Sequence, residues 1–198
     1  MSTATADDIA FWKQCWITPR PFIGWVERYV LPRHGGGRFT LDTCATAWNA
    51  RCASFIGPPG QPYCGEMIGR DGLKTPWTTD GAAWCNAGFK NLQPWVETCA
   101  RETANAPVIC HLTHASHSAD WAQFAIEHAT ACYLAWPRIE FEPDPRYREW
   151  LAEQGEEPTG NMRDSYLWVW TPKRKKSGCA FYADLPPWRE SKRKRGRD

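Results

Sequence analysis

A chain of 198 residues with 42% apolar and 23% charged side chains has the composition of one soluble domain large enough to bury a real core. No apolar run reaches the roughly 18 residues that span a bilayer, and the acidic start MSTATADDIAF lacks the basic, then apolar, layout of a signal peptide. Nine Cys without a C-x-x-C pair argue against a disulfide scaffold or a zinc ribbon, so the expectation is a cytoplasmic protein with reduced, mostly buried thiols and no membrane partner. The net charge of +2 hides an asymmetry, because residues 173–198 hold ten basic against three acidic side chains and the remainder is mildly acidic. Residues 1–172 are therefore read as the domain and 173–198 as a basic tail. Its runs Lys173-Arg174-Lys175-Lys176 and Lys192-Arg193-Lys194-Arg195 are candidate phosphate contacts to nucleic acid.

Residues 1–10 read as a loose start. In residues 20–32 the spacing of Phe22, Ile23, Val26, Tyr29 and Val30 predicts a helix, broken by His34-Gly35-Gly36-Gly37. Residues 38–44 are short and apolar and predict a buried strand with Asp42 near its carboxyl end. Residues 56–72 are rich in Gly and Pro and predict a loop. A second strand is expected at 82–85, followed by the turn Asn86-Ala87-Gly88-Phe89, and a helix at 94–103 with Pro94 in its first turn. A third strand is expected at 108–112, then a helix from Ser118 as cap to about 128. Residues 131–136 and 139–141 read as strands, 143–163 as a polar loop, and 165–170 as the last strand. Trp48, Trp77, Trp84, Trp95, Trp121 and Trp136 fall in or beside these elements and are expected to fill the core.

Strands alternating with helices predict an α/β sandwich with a mostly parallel central sheet flanked by helices. In such sheets a ligand sits beyond the carboxyl ends of the strands. Three of those ends carry chemistry: Asp42-Thr43-Cys44, Asn86 to Phe89, and the stretch holding His111, His114 and His117. Spacing at intervals of three does not by itself make a metal site, so no metal is expected and the His segment is expected to line the cleft.

Several segments, in order, resemble the phage-type DNA N-6-adenine methyltransferases, from about Trp16 to Trp170. They are Trp16-Ile17-Thr18-Pro19; Leu41-Asp42-Thr43-Cys44-Ala45 with Asn49; Asp71-Gly72-Leu73 with Trp77; Asn86 to Phe89 with Pro94-Trp95; Leu112 to Trp121; and Trp136 to Phe141. The resemblance implies a Rossmann-like methyltransferase fold, S-adenosylmethionine as cofactor, double-stranded DNA as partner, and a phage or prophage enzyme that methylates the exocyclic amine of adenine, with restriction evasion as its use. It implies cofactor contacts from Trp16, Thr18, Pro19, Asp42, Thr43 and Cys44. It implies catalytic roles for Asn86, the carbonyl of Ala87 and the ring of Phe89, which would stack on a base flipped out of the helix. The family pattern at this last place is Asn-Pro-Pro-aromatic, and here Ala87-Gly88 replaces the two prolines. The acceptors and the ring remain while the stiff backbone is lost, and a misplacement of about 1 Å can cost about 100-fold in rate. Two alternatives follow: a methyltransferase-like protein without catalysis that binds DNA or a host protein, and an enzyme acting on the amine of cytosine. Near the end of the chain, Asp184-Leu185-Pro186-Pro187-Trp188 imitates the catalytic motif but lies after the last expected strand, and is expected to pack Trp188 onto the body.

Overall fold

The computed structural model describes residues 4–60, 64–159, 163–172 and 178–189. In chain order its elements are α1 (Ala6–Trp12), α2 (Arg20–Tyr29), a 3-10 turn (Leu31–His34), β1 (Phe39–Asp42), β2 (Ser54–Gly57), β3 (Met67–Arg70), β4 (Ala82–Cys85), α3 (Gln93–Glu102), β5 (Val108–His114), α4 (Asp120–His128), β6 (Ala131–Ala135), α5 (Pro145–Glu153), β7 (Ser165–Trp170) and β8 (Ala180–Tyr182). The eight strands form one sheet in the order β3-β2-β1-β4-β5-β7-β6-β8. All pairs are parallel except β5–β7 and β6–β7, so β7 runs against both its neighbours. This is a mostly parallel, mixed α/β sheet, as the alternation of strands and helices predicts. Among the described residues no helix is long and apolar enough to cross a membrane.

Alternation along the central strands feeds two cores. Phe39, Ala82, Trp84, Val108, Cys110, Leu112, Leu167 and Val169 face Phe22, Ile23, Trp25 and Val26 of α2. Their neighbours Leu41, Ala83, Cys85, Ile109, Trp168 and Trp170 face Val96 and Cys99 of α3 and Ala125 of α4. A strand covered on both faces is apolar at every position, which is why 82–85 and 108–112 carry no polar alternation. The chain winds outward from β1 to β3 and then returns to the centre with β4. The order therefore reverses between β1 and β4, and a crevice opens at their carboxyl ends.

The structure departs from the sequence-based expectations at several places. The 56–72 loop is interrupted by two strands, β2 and β3, whose four residues each are too few for a periodic signal. The polar stretch 143–163 contains α5, capped by Asp144, whose carboxylate accepts from the Arg146 N–H at 2.9 Å. The loose start contains α1, closed by a capping box between Thr5 and Asp8. Ser118 does not cap α4; its N-cap is Ala119, and no side chain bonds there. Residues 139–141 form no strand, although Glu142 makes a bridge to Ile17. Trp48 and Trp136, expected in the core, are 67% and 58% exposed.

Residues 178–189, which the charge pattern groups with the tail, add β8 beside β6 and continue into the Asp184–Trp188 segment. There Trp25 donates from its indole N–H to the Pro186 carbonyl at 2.8 Å, Arg33 pairs with Asp184 at 3.2 Å, and Trp188 meets Phe22 edge-on at 5.7 Å. The motif-like segment is thus a structural clasp on α2. Burying an indole this way is worth several kcal/mol, since Trp-to-Ala changes in cores cost about 3–5 kcal/mol.

Candidate active site

A cavity of about 540 Å³ opens at the carboxyl end of β4. Asn86, Ala87, Gly88, Phe89, Lys90 and Asn91 form one wall. Lys13, Gln14 and Trp16 face them from the segment between α1 and α2, and Trp95, Phe141 and Thr159 complete the lining. All three expected catalytic residues line this space. Of the expected cofactor residues only Trp16 does.

Two landmark segments far apart in sequence meet here for a backbone reason. Ile17 and Glu142 exchange both amide hydrogen bonds, at 2.7 and 3.0 Å. That bridge carries Trp16 and Phe141 to the same cavity and sets Thr18, 2% exposed, beside Asn86. The Asn86 amide Nδ2 donates to Thr18 Oγ1 at 3.1 Å. Its Oδ1 has no partner among the described residues and is open to the cavity. Pro19 follows Thr18 as the N-cap of α2, with Pro21 in the first turn. Ala87 is buried against Val96 and its neighbours in the core, while its carbonyl takes no donor among the described residues. Gly88 does not adopt a left-handed φ, and a Cβ built on it meets nothing within 4 Å. The turn therefore does not require glycine.

Phe89 is held edge-on by His114, with ring centroids 5.5 Å apart, and by Phe141 at 6.2 Å. His114 meets Trp121 in turn at 5.2 Å. Burial, helped by the charge of Arg163, holds the His114 imidazole below its ordinary range. The three histidines do not gather. A step of three along a strand changes face, so His111 lies fully buried on the α3 side next to Cys85, while His114 reaches Phe89 and His117 is exposed beyond the strand. Among the described residues no group of three or more His, Cys, Asp or Glu is arranged to hold a metal.

The end of β1 is different. Asp42 is 3% exposed and accepts from the backbone N–H groups of Cys44 at 3.3 Å and Arg51 at 3.0 Å. It thereby closes the 43–51 loop on itself. Burial pushes its carboxyl up to about 7, against the pull of those two donors. Thr43 is fully buried, its N–H donating to the Trp84 carbonyl at 2.8 Å. Cys44 is half-buried. None of the three lines the cavity. The same region explains the Asp-Gly-Leu landmark. Asp71 takes a left-handed φ of 65°, and a Cβ on Gly72 would sit 2.2 Å from the Thr43 carbonyl oxygen and 3.0 Å from the Trp95 ring. The Gly72 carbonyl accepts from the Trp77 indole at 2.8 Å. Only glycine allows that turn to press against the end of β1 and the back of the Trp95 wall.

The cavity lining carries two ammonium groups, Lys13 and Lys90, and no carboxylate among the described residues. Aromatic walls, an open amide oxygen and unopposed positive charge suit a ligand with an aromatic base and an anionic group. Lys13, Gln14 and Thr159 carry no signal in the sequence that marks them. Trp95 and Phe141 stand in landmark segments, but as apolar residues near predicted elements they read as core. The basic runs 173–176 and 192–195 lie outside the described residues. Outside the cavity, Arg146 is held between the rings of Trp12 and exposed Trp48, 5.3 and 5.6 Å from their centroids, which ties α1 and α5 to the 43–51 loop.

The family model described as DNA N-6-adenine-methyltransferase (Dam) matches residues 7–184 of the chain. A search of curated proteins finds no significant match.

Proposed function

Because the chain belongs to the DNA N-6-adenine-methyltransferase (Dam) family, a family of DNA-methylating enzymes, we propose that it transfers a methyl group from S-adenosylmethionine to the exocyclic N6 of adenine in double-stranded DNA. We place it in phages or prophages, acting in the bacterial cytoplasm and protecting DNA from restriction. The observation that carries this reading is Asn86. It stands at the carboxyl end of β4 with one amide atom tied to Thr18 and its acceptor oxygen facing a cavity with aromatic walls.

The cofactor, when bound, supplies an electrophilic methyl group. The chain's own residues do the rest. Asn86 Oδ1 and the Ala87 carbonyl accept the two N–H bonds of the amine, which turns its lone pair away from the ring and toward the methyl. Phe89 offers an aromatic surface for the unstacked base, an interaction worth about 1–3 kcal/mol for single-stranded nucleic acids. With the cofactor bound, its methyl group would pass to the nitrogen held by these two acceptors, and the displaced amine proton would pass to solvent. Trp16 takes the cofactor from the N-terminal side, joined by Lys13, whose ammonium suits its carboxylate, and Thr18 and Pro19 contribute through the buried turn that places Trp16. Asp42, Thr43 and Cys44 contribute through the shape of the 43–51 loop. The basic runs 173–176 and 192–195 supply phosphate contacts.

Incubation with tritium-labelled cofactor and DNA, followed by nucleoside analysis, tests the reading. The expected product is N6-methyladenine. Label in N4-methylcytosine would move the target to cytosine. DNA binding without any label would make the chain a binding protein that keeps only the fold.

A further inference from the structure

The loss of both prolines after Asn86 removes the covalent stiffness that would otherwise hold this turn. Gly88 is exposed and in open space, so it contributes nothing to stiffness itself. Yet a planar amide presented to an amine must not rotate. Turned by 180°, Asn86 would offer N–H groups to N–H groups, and the acceptor would be lost.

We propose that Thr18 is the positioning residue for Asn86, replacing the missing backbone stiffness by a tertiary hydrogen bond. The proposal rests on Asn86 being the acceptor for the target amine. Thr18 is suited to the role on three grounds. It is 2% exposed, so water does not compete for its hydroxyl. Its backbone follows Ile17, which is fixed to Glu142 by two backbone hydrogen bonds, and precedes the Pro19 N-cap of α2. Its oxygen takes Nδ2 at 3.1 Å, so Oδ1 alone is turned to the cavity. From the other side, the burial of Ala87 fixes the backbone next to Asn86. The turn is thus held at both flanks by packing and at its side chain by Thr18. A hydroxyl both donates and accepts, so Asn86→Asp remains compatible: Thr18 then donates to one carboxylate oxygen and the other faces the amine.

The test compares Thr18→Val, which keeps the shape and removes the hydroxyl, with Thr18→Ser, which keeps the hydroxyl. Thr18→Ala stands in if the valine variant does not fold. Methyl transfer, cofactor affinity by calorimetry, and the side-chain amide signal of Asn86 in 1H–15N spectra are measured. That signal is assigned by its absence in Asn86→Ala. Loss of the hydroxyl should lower kcat about 10- to 100-fold, in line with a misplacement of about an ångström. The cofactor Kd should stay within about 3-fold, and the Asn86 amide signal should move. Serine should restore both rate and signal. An unmoved amide signal in Thr18→Val or Thr18→Ala would overturn the proposal. So would a loss found wholly in cofactor affinity, or a serine variant no better than valine. If the wild-type protein transfers no methyl group, the proposed reaction fails, while the amide signal still decides whether Thr18 orients Asn86.

Discussion

The carboxyl ends of β1 and β4 lie side by side and are used in opposite ways. At β1, Asp42 is turned inward and both its oxygens are taken by backbone N–H groups of the loop that follows. At β4, Asn86 is half-buried, tied by one atom, and open by the other to the cavity. A polar residue just after a strand becomes a chemical group only where the protein leaves part of its hydrogen-bonding capacity unfilled. Elsewhere it is a fastener. The two ends are also coupled, since Thr43 donates to the Trp84 carbonyl one residue before Cys85. The fastened end therefore sets the height of the open one.

The contrast can be broken most sharply at the open end. Asn86→Ala should cut methyl transfer by about 100- to 1,000-fold, the usual effect of losing one preorganised polar group at a reacting atom. Its melting temperature should stay within about 2 °C of wild type, because the side chain is tied to the fold through the Thr18 bond alone. A rate that survives would remove β4 from the chemistry. Asp42→Ala should do the reverse. Two hydrogen bonds vanish and two loop N–H groups are orphaned, so stability below pH 7 should fall by about 3 kcal/mol by denaturant titration. Cofactor affinity should weaken as the loop loosens. Weakened affinity with stability intact would instead put the carboxylate in direct contact with the cofactor.

Titration sharpens the same contrast. The Asp42 carboxyl has a folded value of about 7 against an unfolded value near 3.9, so the folded state binds the proton more tightly. Its contribution to stability is fully present below about pH 4 and is lost as the pH rises through about 7. Thermal melts of wild type and Asp42→Asn between pH 5 and 8 should therefore converge or cross in favour of the variant as pH rises. Parallel profiles would mean the carboxyl is not buried in solution.

A region outside both strand ends gives a smaller effect. Deleting residues 190–198 and neutralising Lys173–Lys176 should flatten the salt dependence of DNA binding, by about 0.9 in slope for each phosphate that is no longer neutralised. A cut after Pro172 would be uninformative, because it also removes β8 and the buried Trp188. The same salt slope in the trimmed protein would move DNA binding to groups such as Lys13 and Lys90. The smallest change is expected from Gly88→Ala. With open space around the position and no left-handed φ, it should be neutral or stabilise by up to about 1 kcal/mol, and the rate should hold. A large drop in rate would show that the turn must flex.

Much of this was legible in the chain. The central strands announce themselves because a parallel strand covered on both faces is apolar throughout, and Asn86 stands out as a polar residue after such a run. Ordered landmarks such as Trp16 to Pro19 and Trp136 to Phe141 survive as short strings that sit at fixed places in the fold. The charge of the final residues also reads directly, although it masks β8, where the apolar stretch from Cys179 to Tyr182 is too short to outweigh its basic flanks. Trp48 reads as core by residue type but serves as an outer face for the Arg146 guanidinium. Two strands of four residues, β2 and β3, give no period to detect.

The sequence by itself determined which residue types stand at each strand end, the layered α/β plan, and the missing prolines after Asn86. Tertiary structure alone decided which strand end is open. That outcome depends on contacts between residues 68 apart, as for Thr18 and Asn86, or on a loop folding back, as Arg51 does on Asp42. Hydrogen-bonding capacity is local and is written in the side chain, whereas whether it is already spent depends on what the rest of the fold brings within about 3 Å.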